Sequence, residues 1–131
     1  MLINDYGHHP TQVKETAKAA REKFKNKKII LIYQPHQYQR TYFLFDDFVK
    51  VFKKVPTDET IITDIYTVAG RESKEIMEKV NSQNLVRAIN RKNTLYLPKN
   101  KIIDYLKKNL KGGEIVLFMG AGDIYELTYK V

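Results

Sequence analysis

The spacing of apolar positions divides the chain into alternating helical and strand-like stretches. Val13, Ala17, Ala20 and Phe24 recur at helical intervals, so Thr11 to Phe24 reads as an amphipathic helix. Pro10 fits its first turn, where a missing N–H leaves nothing unpaired. Lys28 to Tyr33 is a short apolar run rich in β-branched residues, the pattern of a strand buried on both faces, and Pro35 ends it. Phe45, Phe48, Val49 and Phe52 then predict a helix over Thr41 to Lys54, with Pro56 and Asp58 in the turn that follows. Glu59 to Tyr66 reads as a second strand, and Thr67 to Ser73, with Gly70, as an irregular bend. A short helix follows, N-capped by Ser82, with Leu85, Val86 and Ile89 as its buried stripe. Thr94 to Leu97 is a short strand and Pro98 to Leu110 a helix terminated by Gly112-Gly113. Glu114 to Met119 is the last strand and leads through Gly120-Ala121-Gly122-Asp123 into a short closing helix.

Regular alternation of this kind implies an α/β fold, Rossmann-like, with a mainly parallel sheet flanked by helices in three layers. In such sheets ligands meet the loops beyond the carboxyl ends of the strands. The loops expected to matter are therefore Gln34 to Arg40, Thr67 to Ser73 and Gly120 to Asp123.

Composition narrows the picture. At 131 residues the chain suits a single domain spanning 1–131, large enough to bury a core without staples. The absence of cysteine excludes a disulfide framework, a thiolate zinc site and a cysteine nucleophile. No apolar run approaches the roughly 20 residues of a membrane span, and the opening Met1-Leu2-Ile3-Asn4-Asp5 does not resemble a secretory signal, so a cytoplasmic protein without membrane partners is expected. The net charge of +8 raises the question of anionic partners. Its lysines, however, collect where helices end: Lys18 to Lys28, Lys50 to Lys54 and Lys107 to Lys111. Cations there complement the helix dipole, which favours solvated helix ends over a polyanion groove. Without an aromatic stacking motif, nucleic acid is an unlikely partner.

Candidate chemistry is densest in Asp5-Tyr6-Gly7-His8-His9-Pro10-Thr11, immediately before a helix whose free N–H groups favour anions. A purely local reading is also open, in which Asp5 or His9 caps the helix, Gly7 turns the chain and Tyr6 packs. In Gln34-Pro35-His36-Gln37-Tyr38-Gln39-Arg40-Thr41, Arg40 can pair with a carboxylate or phosphate and His36 can donate to one; the alternative is a surface loop in which Thr41 caps the next helix. His8, His9 and His36 lack the carboxylate or thiolate company of a zinc site, and no metal site is expected. Gly120-Ala121-Gly122-Asp123 is half of a dinucleotide fingerprint, and no Gly-Lys-Ser or Gly-Lys-Thr phosphate cradle occurs.

Taken in order and spacing, the histidine motif Asp5 to Thr11, Gln34-Pro35-His36 with Tyr38 and Arg40-Thr41, Asp64-Ile65-Tyr66, and Met119 to Ile124 resemble the carboxy-terminal domain of the Mur ligases, in the alanine-adding branch. The resemblance spans essentially the whole chain. It implies a Rossmann-like domain of an ATP-dependent amide ligase of peptidoglycan precursor synthesis, which joins L-alanine to the lactyl carboxylate of UDP-N-acetylmuramate through an acyl phosphate, with magnesium. An amino-terminal domain that holds the UDP and a central domain that carries the ATP site would lie outside this chain, which alone is expected to be inactive. By resemblance, Asp5 and Tyr6 lie near the nucleotide, His8 near the reacting carboxylate and phosphates, and His36 and Arg40 around the incoming amino acid and the transferring phosphoryl group. The chain departs from the family pattern with Asn4 for Asp, Gln12 for Glu and Gln37 for Arg, the last removing a cation from the substrate loop. Arg71, from the neighbouring loop, is the candidate to replace it. The muropeptide-recycling branch, which attaches a whole peptide, and a nonenzymatic basic module are the alternative readings.

Overall fold

The computed structural model describes residues 1–68 and 70–131. Five strands, β1 (Leu2–Asp5), β2 (Ile29–Tyr33), β3 (Glu59–Ile62), β4 (Thr94–Tyr96) and β5 (Ile115–Met119), form one sheet in the order β1-β5-β2-β3-β4. Each neighbouring pair is parallel, with Ile32 set between Phe118 on one side and Ile61 on the other. The helices are α1 (Pro10–Lys23), α2 (Tyr38–Phe43), α3 (Phe45–Lys54), α4 (Lys74–Lys79), α5 (Ser82–Ile89) and α6 (Lys99–Asn109), followed by a 3₁₀ turn at Ile124–Tyr129.

Period-two alternation along the buried strands divides the core. Ile29, Leu31 and Tyr33 of β2 and Leu117 of β5 pack with Val13 and Ala17 of α1, Phe48 and Phe52 of α3, and Leu85 and Ile89 of α5. Ile30, Ile32 and Phe118 point the other way, onto Ile102 and Leu106 of α6 and Ile124 and Leu127 of the last turn. Burial on both faces is why β2 and β5 read as continuous apolar runs. From β1 to β4 the chain steps towards one edge with α1, α3 and α5 on one face. It then returns through α6 on the opposite face and inserts β5 between β1 and β2. A reversal of direction coupled to a change of face is what crossovers of a single hand require.

Several elements differ from expectation. β1 was unforeseen: it is an edge strand with alternating half-exposure, too short and too polar to announce itself. The helix expected over Thr41 to Lys54 is two helices broken at Leu44, and the stripe through Thr41, Phe48 and Phe52 is continuous across the break, so periodicity does not detect it. β3 ends at Ile62 rather than Tyr66. Thr63 N–H still bonds Tyr33 O at 3.0 Å, but Asp64 and Ile65 leave the ladder and Tyr66 rejoins only as an isolated bridge with His36. α4 has no buried residue and hence no stripe. Asn81, not Ser82, caps α5, accepting from Asn84 N–H at 2.7 Å, while the Ser82 hydroxyl donates to Thr63 O at 2.5 Å. Ala69, within the expected Thr67 to Ser73 bend, lies outside the described residues.

Candidate functional site

Because the strands are parallel, their carboxyl ends share one rim of the sheet, and the loops that leave it meet there. After β1 the chain turns within four residues into α1. Asp5 fixes the turn: its Oδ1 accepts the Gly7 N–H at 2.6 Å and its Oδ2 the Thr16 hydroxyl at 3.0 Å. Gly7 is required by space, since a Cβ there would stand 2.8 Å from Asp5 Oδ1 and 3.1 Å from the Met119 methyl. His9 is the N-cap of α1, as one of the local readings held: its Nδ1 accepts the Thr11 N–H at 3.2 Å. Gln12 Oε1 reaches back to the N–H groups of His8 and His9, closing a capping box. Tyr6 is 74% exposed, and beside it a cleft of about 400 Å³ opens between the Asp5–Gly7 turn and the first turns of α1.

The second loop leaves β2 at Gln34, which is buried and ties two loops together. Its Nε2 donates to Asp123 Oδ1 at 2.8 Å and its Oε1 accepts the Ile124 N–H at 3.2 Å. Gly122 lies so close that a Cβ would fall 2.5 Å from the Tyr66 ring and 2.7 Å from Gln34 Oε1. Lys99 Nζ completes the corner, 2.8 Å from Asp123 Oδ2. Although burial would raise the Asp123 carboxyl, the Gln34 hydrogen bond and the Lys99 charge hold it below the usual range.

The rings cross the rim in a row. Tyr6 and His8 meet edge-on at 6.1 Å, His8 and His36 lie 5.4 Å apart, and His36 stacks on Tyr66 at 5.5 Å. His36 Nδ1 is shielded from solvent and has no hydrogen-bond partner among the described residues. Burial, then the charges of His8 and Arg40, push the His36 imidazolium pKa below its ordinary value, against an upward pull from Glu72. Arg40 also acts on Tyr33, whose phenol burial drives strongly upward and whose hydroxyl donates to His8 O at 2.6 Å.

The structure thus brings His8 and His36 together with Tyr6 against His8, leaves Arg40 within electrostatic reach of His36, and turns Asp5 to the Gly7 N–H and the Thr16 hydroxyl instead. Arg71 stands apart as an exposed residue of the third loop, without an ion pair among the described residues. Its neighbour Glu72 is fixed: one oxygen accepts the Gln39 N–H at 2.8 Å, the other the Thr67 hydroxyl. Asp64, freed from β3, accepts the Tyr96 hydroxyl at 2.5 Å, and burial together with this bond pushes Tyr96 up to about 12. Gln34 and Tyr66 lie in motifs that the sequence offered, but without these roles, and Glu72 lies in none. A Gln following an apolar strand, with a Gly-x-Gly-Asp turn far downstream, was the one trace in the sequence.

A parallel sheet with paired imidazoles at its carboxyl rim, tied by a glycine-aspartate turn, defines an α/β domain whose polar side chains gather where such sheets present their loops. The chain belongs to the Mur ligase family: the family described as "Mur ligase, glutamate ligase domain" matches residues 1–122. It is 41% identical over 127 residues to the UDP-N-acetylmuramate–L-alanine ligase of Acetivibrio thermocellus, covering 96% of this chain and 26% of that protein. To the enzyme of the same name from Hydrogenobaculum it is 36% identical, covering 99% of the chain and 27% of the relative. The chain therefore spans about a quarter of the length of the curated relatives it matches. In fold it superposes on the crystal structure of the UDP-N-acetylmuramate-alanine ligase of Thermotoga maritima with a TM-score of 0.69 at 23% identity, over 98% of this chain and 25% of that one. A solved domain of a putative UDP-N-acetylmuramate:tripeptide ligase of Haemophilus ducreyi matches with a TM-score of 0.62 at 15% identity, over 98% of this chain and 85% of that one.

Proposed function

We propose that the chain is the closing domain of an ATP-dependent ligase that joins L-alanine to the lactyl carboxylate of UDP-N-acetylmuramate by way of an acyl phosphate. The observation that carries this reading is the row His8, His36 and Tyr66, with the Arg40 charge acting on His36, at the helix-entry rim of a Mur ligase domain whose curated relatives bear that activity in their names.

The residues of the rim fit a nucleotide and a transferring phosphoryl group better than a metal ion. Exposed Tyr6 offers a stacking face beside the cleft at Asp5, and the shielded Nδ1 of His36 is an unused polar atom. Among the described residues no three His, Asp or Glu side chains gather as metal ligands. Most of the ATP and magnesium binding falls, in this reading, to residues outside the chain, in keeping with the lack of a Gly-Lys-Ser or Gly-Lys-Thr cradle in its sequence. In this reading Arg40 and His8 stabilise negative charge that develops on the acyl phosphate. His36, kept neutral by burial, orients the incoming amine, and positioning supplies most of the rate. None of these side chains is a nucleophile; the alanine amine attacks.

Arg71 replaces the cation that Gln37 removes. What supports this is that Glu72, its neighbour in the chain, ties the third loop to the backbone of Gln39, although the Arg71 side chain itself makes no ion pair among the described residues. Arg71→Ala in a ligase carrying this domain should raise the KM for the amino acid with little change in kcat, and unchanged kinetics would remove Arg71 from the site.

Phosphate release by such a ligase, supplied with UDP-N-acetylmuramate and in turn L-alanine, L-serine, glycine or a tripeptide, tests the whole reading. Turnover with L-alanine supports it, turnover with the tripeptide alone moves the chain to the recycling branch, and none with any returns it to a binding module. The isolated chain should bind ATP very weakly, because a site split between domains loses its preorganisation.

A further inference from the structure

Sequence position separates Lys14 and Lys18 from Lys50, Lys53 and Lys54 by a strand, a loop and a short helix; packing of α1 beside α3 puts all five around one cavity of about 530 Å³. All five are exposed, and none makes an ion pair or hydrogen bond among the described residues. No carboxylate lines the cavity. The floor is apolar: Val51, Val55 and Pro56. It is also fixed, because Arg91 donates to Val55 O at 3.0 Å and Arg21 to Pro56 O at 2.9 Å. Pro56 leads directly into β3, so the groove lies toward the amino-terminal rim of the sheet, away from the histidines.

Solvated helix ends explain lysines in the last turn of α3 but not their convergence, across two helices, over a preformed apolar floor. We propose that this groove docks an acidic protein segment that also carries apolar side chains, the latter seated on Val51, Val55 and Pro56 beneath a rim of lysine ammonium groups. Charge complementarity selects an anionic partner, and the geometry narrows the class. Nucleic acid would want stacking faces and the forked donors of arginine, and the lining offers neither. A flat anionic bilayer meets the lysine heads but cannot reach a recessed floor. An amphipathic acidic helix can use both parts, with lysine stems lying along its apolar side chains.

The test titrates the 131-residue chain, labelled with ¹⁵N, with a synthetic helical peptide bearing glutamates on one face and leucines on the other. Polyglutamate of equal charge, a single-stranded oligonucleotide and phosphatidylglycerol vesicles serve as competitors. Amide shifts confined to the α1 and α3 segments around the five lysines, with binding about tenfold tighter than polyglutamate, are expected. Lys50→Glu/Lys54→Glu should weaken binding about tenfold or more with the rest of the spectrum unchanged, and Lys50→Gln/Lys54→Gln serves where charge reversal perturbs the fold. Shifts scattered over the surface, equal binding of polyglutamate or the oligonucleotide, or tighter binding to the vesicles would each overturn the proposal.

Discussion

The two halves of the carboxyl rim are held by opposite means. On the β1, β5 and β2 side every turn is determined several times over: Asp5 holds Gly7 and Thr16, Gln34 holds Asp123 and Ile124, Lys99 holds Asp123, and Tyr33 reaches up from the core to His8. On the β3 and α4 side a single carboxylate, Glu72, ties an exposed loop to the backbone of Gln39, and α4 buries nothing. The first half is rigid for the same reason that it is rich in motifs, since close approach leaves little choice of residue. The second half carries fewer such ties, and Gln37, the departure from the family pattern that removes a cation, stands at its edge. Gln37 is the joint between them. Its φ of 70° and ψ of 135° are unusual for a residue with a side chain, and its N–H donates to Tyr66 O at 2.6 Å.

The comparison breaks most readily on the rigid side. Gly122→Ala forces a methyl into the Tyr66 ring and Gln34, and we expect a loss of about 3 kcal/mol in urea unfolding, at the upper end of overpacking effects. A loss below about 0.5 kcal/mol would mean that this corner is as adaptable as the other half. At the joint, Gln37→Gly relieves a strained conformation and should gain about 1 kcal/mol in the same measurement, after allowing for the entropy of glycine. A destabilised variant would show that the side chain, not the backbone, matters there.

The smallest effect is expected at Glu72→Gln, within about 0.5 kcal/mol near neutral pH, and its signature is electrostatic. Burial lowers the folded pKa of His36, so folded and unfolded chains bind the same number of protons at this residue well above its ordinary value of about 6.5. As pH falls through that value the unfolded chain takes up a proton that the folded chain refuses, and stability declines. Removing the Glu72 charge should move the His36 midpoint, followed by imidazole proton shifts, further down and steepen the decline. A midpoint that rises or stays fixed would show that Glu72 does not face His36.

Legibility in the sequence follows the same division. Two-sided burial wrote β2 and β5 plainly, and the stripes of α1, α5 and α6 were readable because they face one layer of core. The histidine motif and Gln-Pro-His loop drew attention to His8, His36 and Arg40 through their resemblance to the family, and the structure places His8 against His36. β1 and α4 were invisible, since an edge strand and a six-residue helix without a buried residue carry no sustained apolar period. Tyr66 stood in a quoted motif but was read as the end of a strand, and its place in the ring row depends on β3 ending four residues early, which a run of β-branched residues cannot announce. Lysines scattered over two segments gave no hint that they share a groove.

The sheet order also has a consequence for how the chain comes into being. β1 has one partner, β5, and β5 is the last strand made; β2 likewise lacks its neighbour on that side until residues 115–119 arrive. During synthesis β2, β3 and β4 can assemble with α3 and α5, but the first strand waits unpaired for the last, a closure over more than a hundred residues. The turns that bear His8 and His36 become neighbours only on that final insertion. A chain cut short before Glu114 keeps every histidine and arginine of the rim, yet the rim itself never forms.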